Sequence, residues 1–436
     1  MTFETPDKQI SLESHGLAEN GLKSPMNVPF FRPHIADDEI NEVIATLRSG
    51  WLTTGPQVSK FEQEFARSVN GSFAVALNSC TAALHLAVEA MGLRQGDAVL
   101  VPTMTFAATA EIVLYNNAVP VLVDCDPVTG NMDLEDAERK LAQLKRRALP
   151  FLHGRDLKAV GMIPVHVGGY MLNIDDVKSF AREHDLWVIE DAAHAFPSAW
   201  RPHRQRSWQY CGDGTAAVTC YSFYANKTIT TGEGGMAVTN DESLANRIRL
   251  MSLHGLSHDA WKRYSGAGSW DYRIVQPGYK YNMTDIAAAI GRHQLKRAEE
   301  MRQQRESVAE FFLKEFAETE EIGLPRSDGN RLHSWHLFPI RLKLSRLSIN
   351  RNQFIEQLKE AGVGCSVHWR PLHKHPLYRD RLGWRDEHLP AATRLWYETI
   401  SLPIFSAMTE EERSHVTRTV KDICLRNAST AHSKAA

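Results

Sequence analysis

The residues best suited to chemistry in this chain cluster around one lysine. Lys227 closes the stretch Ser222-Phe-Tyr-Ala-Asn-Lys227, and the glycine-rich Thr230-Thr-Gly-Glu-Gly-Gly235 follows it. A lone lysine is usually a solvated surface charge. Aromatic, small and glycine neighbours place this one on an interior loop, where desolvation lowers its pKa and makes it an amine nucleophile toward carbonyls. A second candidate is Asp191, in Glu190-Asp191-Ala-Ala-His194-Ala after an apolar run. It could bind a metal, pair with a buried cation or simply cap a helix. The stretch Asn78-Ser-Cys-Thr-Ala-Ala83 opens a helix with small and hydroxyl residues, as a phosphate cradle requires, although an N-cap by Ser79 or Thr81 explains it equally. Phe106, in Thr103-Met-Thr-Phe106, could stack on a planar ligand or pack a helix.

Together these residues describe more than any one of them. A phosphate cradle, a stacking aromatic, a carboxylate and a nucleophilic lysine suit pyridoxal 5′-phosphate. The lysine forms the imine, and the carboxylate keeps the pyridine nitrogen protonated so that the ring acts as an electron sink.

The elements that must position them follow from the hydrophobic pattern. Short apolar runs at Phe73–Leu77, Ala98–Pro102, Val119–Val123, Ala159–Val165, Leu186–Ile189, Ala216–Cys220 and Gly235–Thr239 alternate with helical stretches. Consecutive apolar positions suit strands buried on both faces. This alternation predicts an α/β fold with a mostly parallel seven-stranded sheet, and the candidate residues fall at strand carboxyl ends, where such sheets bind ligands. Gly234-Gly235 predicts a tight turn and an antiparallel last strand. Ahead of the sheet, Asp37–Ser49 reads as a helix stopped by Gly50, Trp51–Pro56 as a turn, and a second helix carries Phe61, Phe65 and Val69 on one face. After Thr284 one long helix is expected to reach about Glu318. A smaller α+β domain follows, with strands near Trp335–Lys343 and Cys365–Trp369, a helix over Gln353–Ala361, and a last helix capped by Thr409 and Glu412. The implied division is a leader over 1–24, a large domain over 25–290, a small domain over 291–425 and a tail over 426–436.

The nine segments SGWLTTGPQVSKFEQEFA, LNSCTAALHLA, VPTMTFAATA, PVHVGG, VIEDAAHA, CYSFYANKTITTGEGG, GYKYNMTDIAAAIG, GVGCSVHWRPLHKHP and ISLPIF resemble the DegT/DnrJ/StrS family of sugar aminotransferases from about Pro29 to Glu412. The resemblance implies the aspartate-aminotransferase-like fold type I and a homodimer with shared active sites. It matches Lys227 to the Schiff-base lysine, Asp191 to the partner of the pyridine nitrogen, His194 to the residue beside the cofactor's 3′-oxygen and Phe106 to the stacked aromatic. Thr81, Ala82 and Ser222 match phosphate contacts, and Asn282 the phosphate contact from the second subunit. Family members with histidine in place of the lysine act as dehydratases; Lys227 excludes that branch. The implied reaction is amination of a nucleotide-linked keto sugar with glutamate as donor. The segment HGLSHDAW followed by PGYKYNMTDI points to C4, with C3, non-nucleotide sugars or an amino-cyclitol as rivals, and a non-catalytic regulator keeping the fold as the alternative class. Two stretches, Trp200–Tyr210 and Arg146–Asp156, are longer than the resemblance leads one to expect.

Composition narrows the rest. The chain has 436 residues, 43% hydrophobic and 23% charged, and its 50 basic against 52 acidic residues give a formal net charge of -2. That supplies no bulk attraction to nucleic acid or anionic membrane. No apolar run approaches the roughly 20 residues that span a bilayer, and Met1–Ser24 lacks the form of a secretory signal. Six cysteines without a C-x-x-C pair read as reduced thiols, so a cytoplasmic location is expected. Gly212-Asp-Gly-Thr-Ala-Ala217 precedes a strand, the wrong context for a dinucleotide fingerprint. His368, His373 and His375 match no strong zinc spacing, so no metal is expected. Arg201, His203, Arg204 and Arg206 read as a solvated loop, with a contact to substrate phosphate as the second reading.

Overall fold

The computed structural model describes residues 26–150, 156–202, 207–256 and 273–429. Its centre is a seven-stranded sheet built from β1 (Phe73–Leu77), β2 (Asp97–Pro102), β3 (Val119–Val123), β4 (Lys158–Met162), β5 (Trp187–Asp191), β8 (Val218–Ser222) and β9 (Gly235–Thr239). Between β5 and β8 lie the short strands β6 (Ala199–Trp200) and β7 (Gln209–Tyr210). The sheet order is β1-β9-β8-β5-β4-β2-β3. Strand β9 runs antiparallel to both its neighbours and the other pairs are parallel. Because β9 is reversed against β1 and β8 alike, those two run the same way. The carboxyl ends of β1, β2, β5 and β8 therefore share one edge of the sheet, and β9 begins there. The valine-rich runs are buried from end to end, as crossover helices on both faces require.

A second, antiparallel sheet contains β10 (Ile322–Gly323), β12 (Phe338–Leu342) and β13 (Thr399–Leu402), with β11 (Arg331–Leu332) between β10 and β12 in the chain. Its core is a separate cluster that includes Phe312, Phe316, Phe338, Phe354 and Phe405. A third small sheet joins β11 to the hairpin β6–β7.

Several details differ from the hydrophobic pattern. The long helix is two helices, Asp285–Lys296 and Ala298–Glu315, separated at Arg297 (φ -103°, ψ 5°). Thr284 caps the first by accepting the N–H of Ala287. The stretch Cys365–Trp369 forms no strand; its ladder is a single bridge between Ser366 and Ser401, and the strand paired with β12 is β13 instead. Leu372, Tyr378, Leu382, Trp384 and Leu389 leave the C-terminal half and join the core of the large sheet. The first helix spans Asp37–Ser49 with Gly50 at φ 76°, yet Ile40, Ile44 and Leu47 face outward while Glu39 and Thr46 are buried. Glu39 takes Arg297 and the Gln294 amide as partners, so polar contacts rather than the apolar stripe seat this helix. The leader over 1–24, the tail from Thr430, part of the Arg146–Asp156 stretch and most of HGLSHDAW lie outside the described residues.

Candidate active site

A cavity of about 590 Å³ opens at the shared strand edge. Ser79 and Thr81 after β1, Phe106 after β2, Asp191 and His194 at the end of β5, and Ser222 and Lys227 after β8 line it. His336, Ser366, His368 and Trp369 form the opposite wall. Six of the eight residues named from the sequence thus meet in one cavity: Thr81, Phe106, Asp191, His194, Ser222 and Lys227. Ala82 and Asn282 do not line it. The N–H of Ala82 is spent on the Ser79 Oγ at 3.1 Å, the N-cap of helix Cys80–Ala90. Asn282 pairs with Leu77 along the backbone, donates to Thr54 Oγ1 at 2.8 Å and accepts from Lys280 Nζ at 2.6 Å.

The cradle at this helix terminus depends on a glycine at the start of β9. A Cβ on Gly235 would lie 2.3 Å from the Ser79 carbonyl carbon and 2.5 Å from the Cys80 nitrogen. Only a residue without Cβ lets β9 start against the helix N-terminus, whose free N–H groups and dipole suit an anion. This close approach, the hydroxyls beside it and the amine and carboxylate across the cavity fit a phosphorylated pyridine aldehyde.

Electrostatics at the site follow from burial. Desolvation lowers Lys227 from 10.5 to about 8; Cys80 and Asp191 pull it up and Arg305 pushes it down. Burial raises Asp191, while the Thr109 hydroxyl at 2.7 Å, the Ala193 N–H at 3.1 Å and the Lys227 charge favour its ionised form. Thr109 in turn bonds Thr105 at 2.7 Å. Glu190, on the other face of β5, accepts the hydroxyls of Thr215 and Thr219 and faces His166 Nε2 at 3.4 Å, which holds its carboxyl below the usual range despite full burial. With Cys211, whose Sγ lies 3.9 Å from Glu190 Oε2, these two form a buried His-Glu-Cys trio.

His194 has a fixed tautomer. Its Nδ1 accepts the N–H of Gly168 at 3.2 Å, so the proton sits on Nε2. Gly168 and Gly169 reach this position with φ of 65° and 97°. A Cβ on Gly169 would meet the Ser334 Oγ at 1.9 Å and the His194 carbonyl at 2.9 Å, which gives the two glycines of PVHVGG their role. Burial holds His194 well below the usual histidine range, so it stays a neutral donor. Its ring stacks on Trp369 at 5.1 Å and lies 4.1 Å from the His336 ring.

Spacing alone marks neither His336, Trp369, Thr109 nor Arg305. Thr109 carried one weak signal, a hydroxyl one helical turn after Thr105. The stretch 368–375 disperses its histidines: His368 bonds Ser401, His373 bonds Thr103 and Thr393, and His375 bonds the Arg370 carbonyl. Arg201 stacks 4.2 Å over Trp208 and donates to the Gly329 carbonyl; 203–206 lie outside the described residues.

Comparison with known proteins now decides the family. Residues 33–421 match the DegT/DnrJ/EryC1/StrS aminotransferase family. The chain belongs to this family. It is 40% identical over 397 residues to the spore coat polysaccharide biosynthesis protein SpsC of Bacillus subtilis, covering 91% of this chain and 97% of that protein. It is 43% identical over 400 residues to protein MJ1066 of Methanocaldococcus jannaschii, covering 92% and 98%. Among solved structures, Spr1654 of Streptococcus pneumoniae, described as a sugar aminotransferase, superposes in its PMP form with a TM-score of 0.82 at 30% identity, covering 92% of this chain and all of that one. Its PLP form superposes with a TM-score of 0.79. The protein is therefore a pyridoxal-phosphate-dependent sugar aminotransferase, and its fold is that of these enzymes.

Proposed function

We propose that this aminotransferase takes its amino group from glutamate and delivers it to C4 of a nucleotide-linked keto sugar, in the cytoplasm, as a homodimer with shared sites. The observation that carries the reading is the desolvated Lys227 amine facing Asp191 across one cavity whose far wall is imidazole, indole and hydroxyl. The imidazole, indole and hydroxyl groups of that wall suit the hydroxyls of a sugar. The name of the SpsC relative supports an amino sugar destined for a polysaccharide. No described helix is long and apolar enough to cross a membrane.

In this reading the helix terminus at Ser79–Thr81, with Ser222, holds the cofactor phosphate. Phe106, still 63% exposed, covers the ring. Asp191 holds the proton on the ring nitrogen and His194 donates through Nε2–H to the 3′-oxygen. Bound there, pyridoxal phosphate supplies an electrophilic aldehyde and a ring that accepts the electron pair of a breaking carbon–hydrogen bond. Lys227 Nζ, its pKa lowered to about 8 by desolvation, would be the group that moves that proton. Asn282, turned away from its own cavity, serves the partner's phosphate.

The test is two half-reactions on the holoenzyme. L-Glutamate should remove the long-wavelength cofactor band, and a UDP- or dTDP-linked 4-keto-6-deoxyhexose should restore it, with NMR of the product locating nitrogen at C4. A band that persists with every amino donor tried would overturn the reading; nitrogen at C3 would move it to the rival position.

A further inference from the structure

His336 packs its ring against His194 while both of its ring nitrogens go without a hydrogen bond. It lines the cavity at 5% exposure, and neither ring nitrogen has a hydrogen-bond partner. Buried polar atoms are nearly always bonded, and each exception calls for an explanation. A poorly made loop is not that explanation, because the backbone on both sides of His336 is pinned. On one side the Trp335 carbonyl accepts from Arg305 Nη1 at 3.3 Å, and the same nitrogen donates to the Ile404 carbonyl at 3.0 Å. Arg305 is 3% exposed and, among the described residues, has no carboxylate partner; its charge is given to holding these two carbonyls. On the other side the Leu337 N–H donates to the Gly168 carbonyl at 3.3 Å.

Trp335 itself sits at φ 48°, a left-handed conformation that a bulky residue rarely adopts. Its N–H donates to His333 Nδ1 at 2.9 Å, and its ring stacks on that histidine at 4.0 Å. Four contacts thus maintain an unfavourable backbone turn, and the outcome of that turn is the direction of the His336 ring.

We propose that His336 is a specificity-determining residue that exchanges a hydrogen bond with a hydroxyl of the sugar acceptor beside the carbon to be aminated. This rests on the keto-sugar reading above. The ring lies against His194 and lines the same cavity as Lys227, into which an acceptor must come to react. With no hydrogen bond to fix it, the ring can turn about its Cβ–Cγ bond and offer either nitrogen. Burial, then His194, Lys227, Arg305 and His368, hold His336 neutral. A neutral imidazole has one donor and one acceptor, and a hydroxyl can use both, whereas the carboxylate of the amino donor can use only the N–H. A phenylalanine would pack against His194 equally well, so packing does not explain a histidine here.

The test separates the two half-reactions in His336→Phe and His336→Asn holoenzymes. The probes are L-glutamate, 2-oxoglutarate and the UDP- and dTDP-linked 4-keto-6-deoxyhexoses. Loss of one neutral hydrogen bond should raise KM for the sugar by about fivefold to tenfold in His336→Phe, with little change in kcat. The glutamate and 2-oxoglutarate half-reactions should proceed as in the wild type. Asparagine, with a donor and an acceptor of its own, should recover most of the sugar KM. Wild-type KM in the phenylalanine variant would overturn the inference, as would equal losses in both half-reactions, which would make His336 a packing support for His194. If the phenylalanine variant fails to hold cofactor, His336→Leu takes its place under the same criteria. Should the wild type pass its amino group to 2-oxoglutarate and to no keto sugar, the reading of the function falls and the sugar contact with it.

Discussion

Cofactor capture by the apoprotein tests the electrostatics of Lys227 directly. Only the neutral amine attacks an aldehyde, so the capture rate should rise with pH and level off above the lysine pKa. Burial brings that pKa from 10.5 to about 8. At pH 7 the neutral fraction is then about 10%, against about 0.03% for an ordinary lysine, a gain of about 300-fold. Apoprotein is mixed with pyridoxal phosphate in a stopped-flow spectrophotometer between pH 6 and 10, and the rate of the long-wavelength band is divided by that of Nα-acetyl-lysine, which removes the cofactor's own titrations. A midpoint near 8 is expected. The neighbouring charges set the direction of two further shifts. Asp191 raises the Lys227 pKa, so Asp191→Asn should move the midpoint lower; Arg305 lowers it, so Arg305→Gln should move it higher. A wild-type midpoint near 10.5 would mean that the amine is not desolvated. Shifts of the wrong sign would mean that these groups do not act on it through charge.

Four other outcomes are expected. Lys227→Ala should abolish turnover while still binding pyridoxal phosphate non-covalently, as measured by equilibrium dialysis, and Asp191→Asn should slow single turnover by about 100-fold, since a positioned proton-handling group contributes on that scale. Gly235→Ala places a Cβ among backbone atoms of Ser79 and Cys80 that have no flexible end to yield; overpacking should remove about 1–3 kcal/mol of stability in urea titration and weaken cofactor binding. Refolding Lys227→Ala together with Asn282→Ala should restore activity, because a hybrid dimer with trans contacts has one site free of both defects. No recovery, with hybrids verified by mass, would place Asn282 in its own subunit's site.

Much of the site was legible in the chain because it rests on short-range rules. Lys227, Asp191, Thr81 and Phe106 each follow an apolar run within a few residues, and the parallel sheet brings strand ends to one edge whatever the details of the loops. The reversal of β9 was written in Gly234-Gly235, and the last helix in its capping box. Other features depended on partners far along the chain. The helix after Thr284 looked continuous because 3.6-residue periodicity does not register the backbone break at Arg297. Cys365–Trp369 looked like a strand because composition cannot say that Thr399–Leu402 takes the neighbouring place beside β12. Arg201, read first as part of a solvated loop, takes Trp208 and the Gly329 carbonyl as partners, from 7 and 128 residues away. The tautomer of His194, the close approach of Gly235 to Ser79 and the aim of His336 exist only once segments 26 to 169 residues apart meet. Sequence by itself determined which groups this enzyme has for pyridoxal-phosphate chemistry and which strands carry them. Tertiary structure decided how those groups are protonated and aimed, because desolvation and hydrogen-bond partners are properties of a place in the fold and not of a residue's neighbours in the chain.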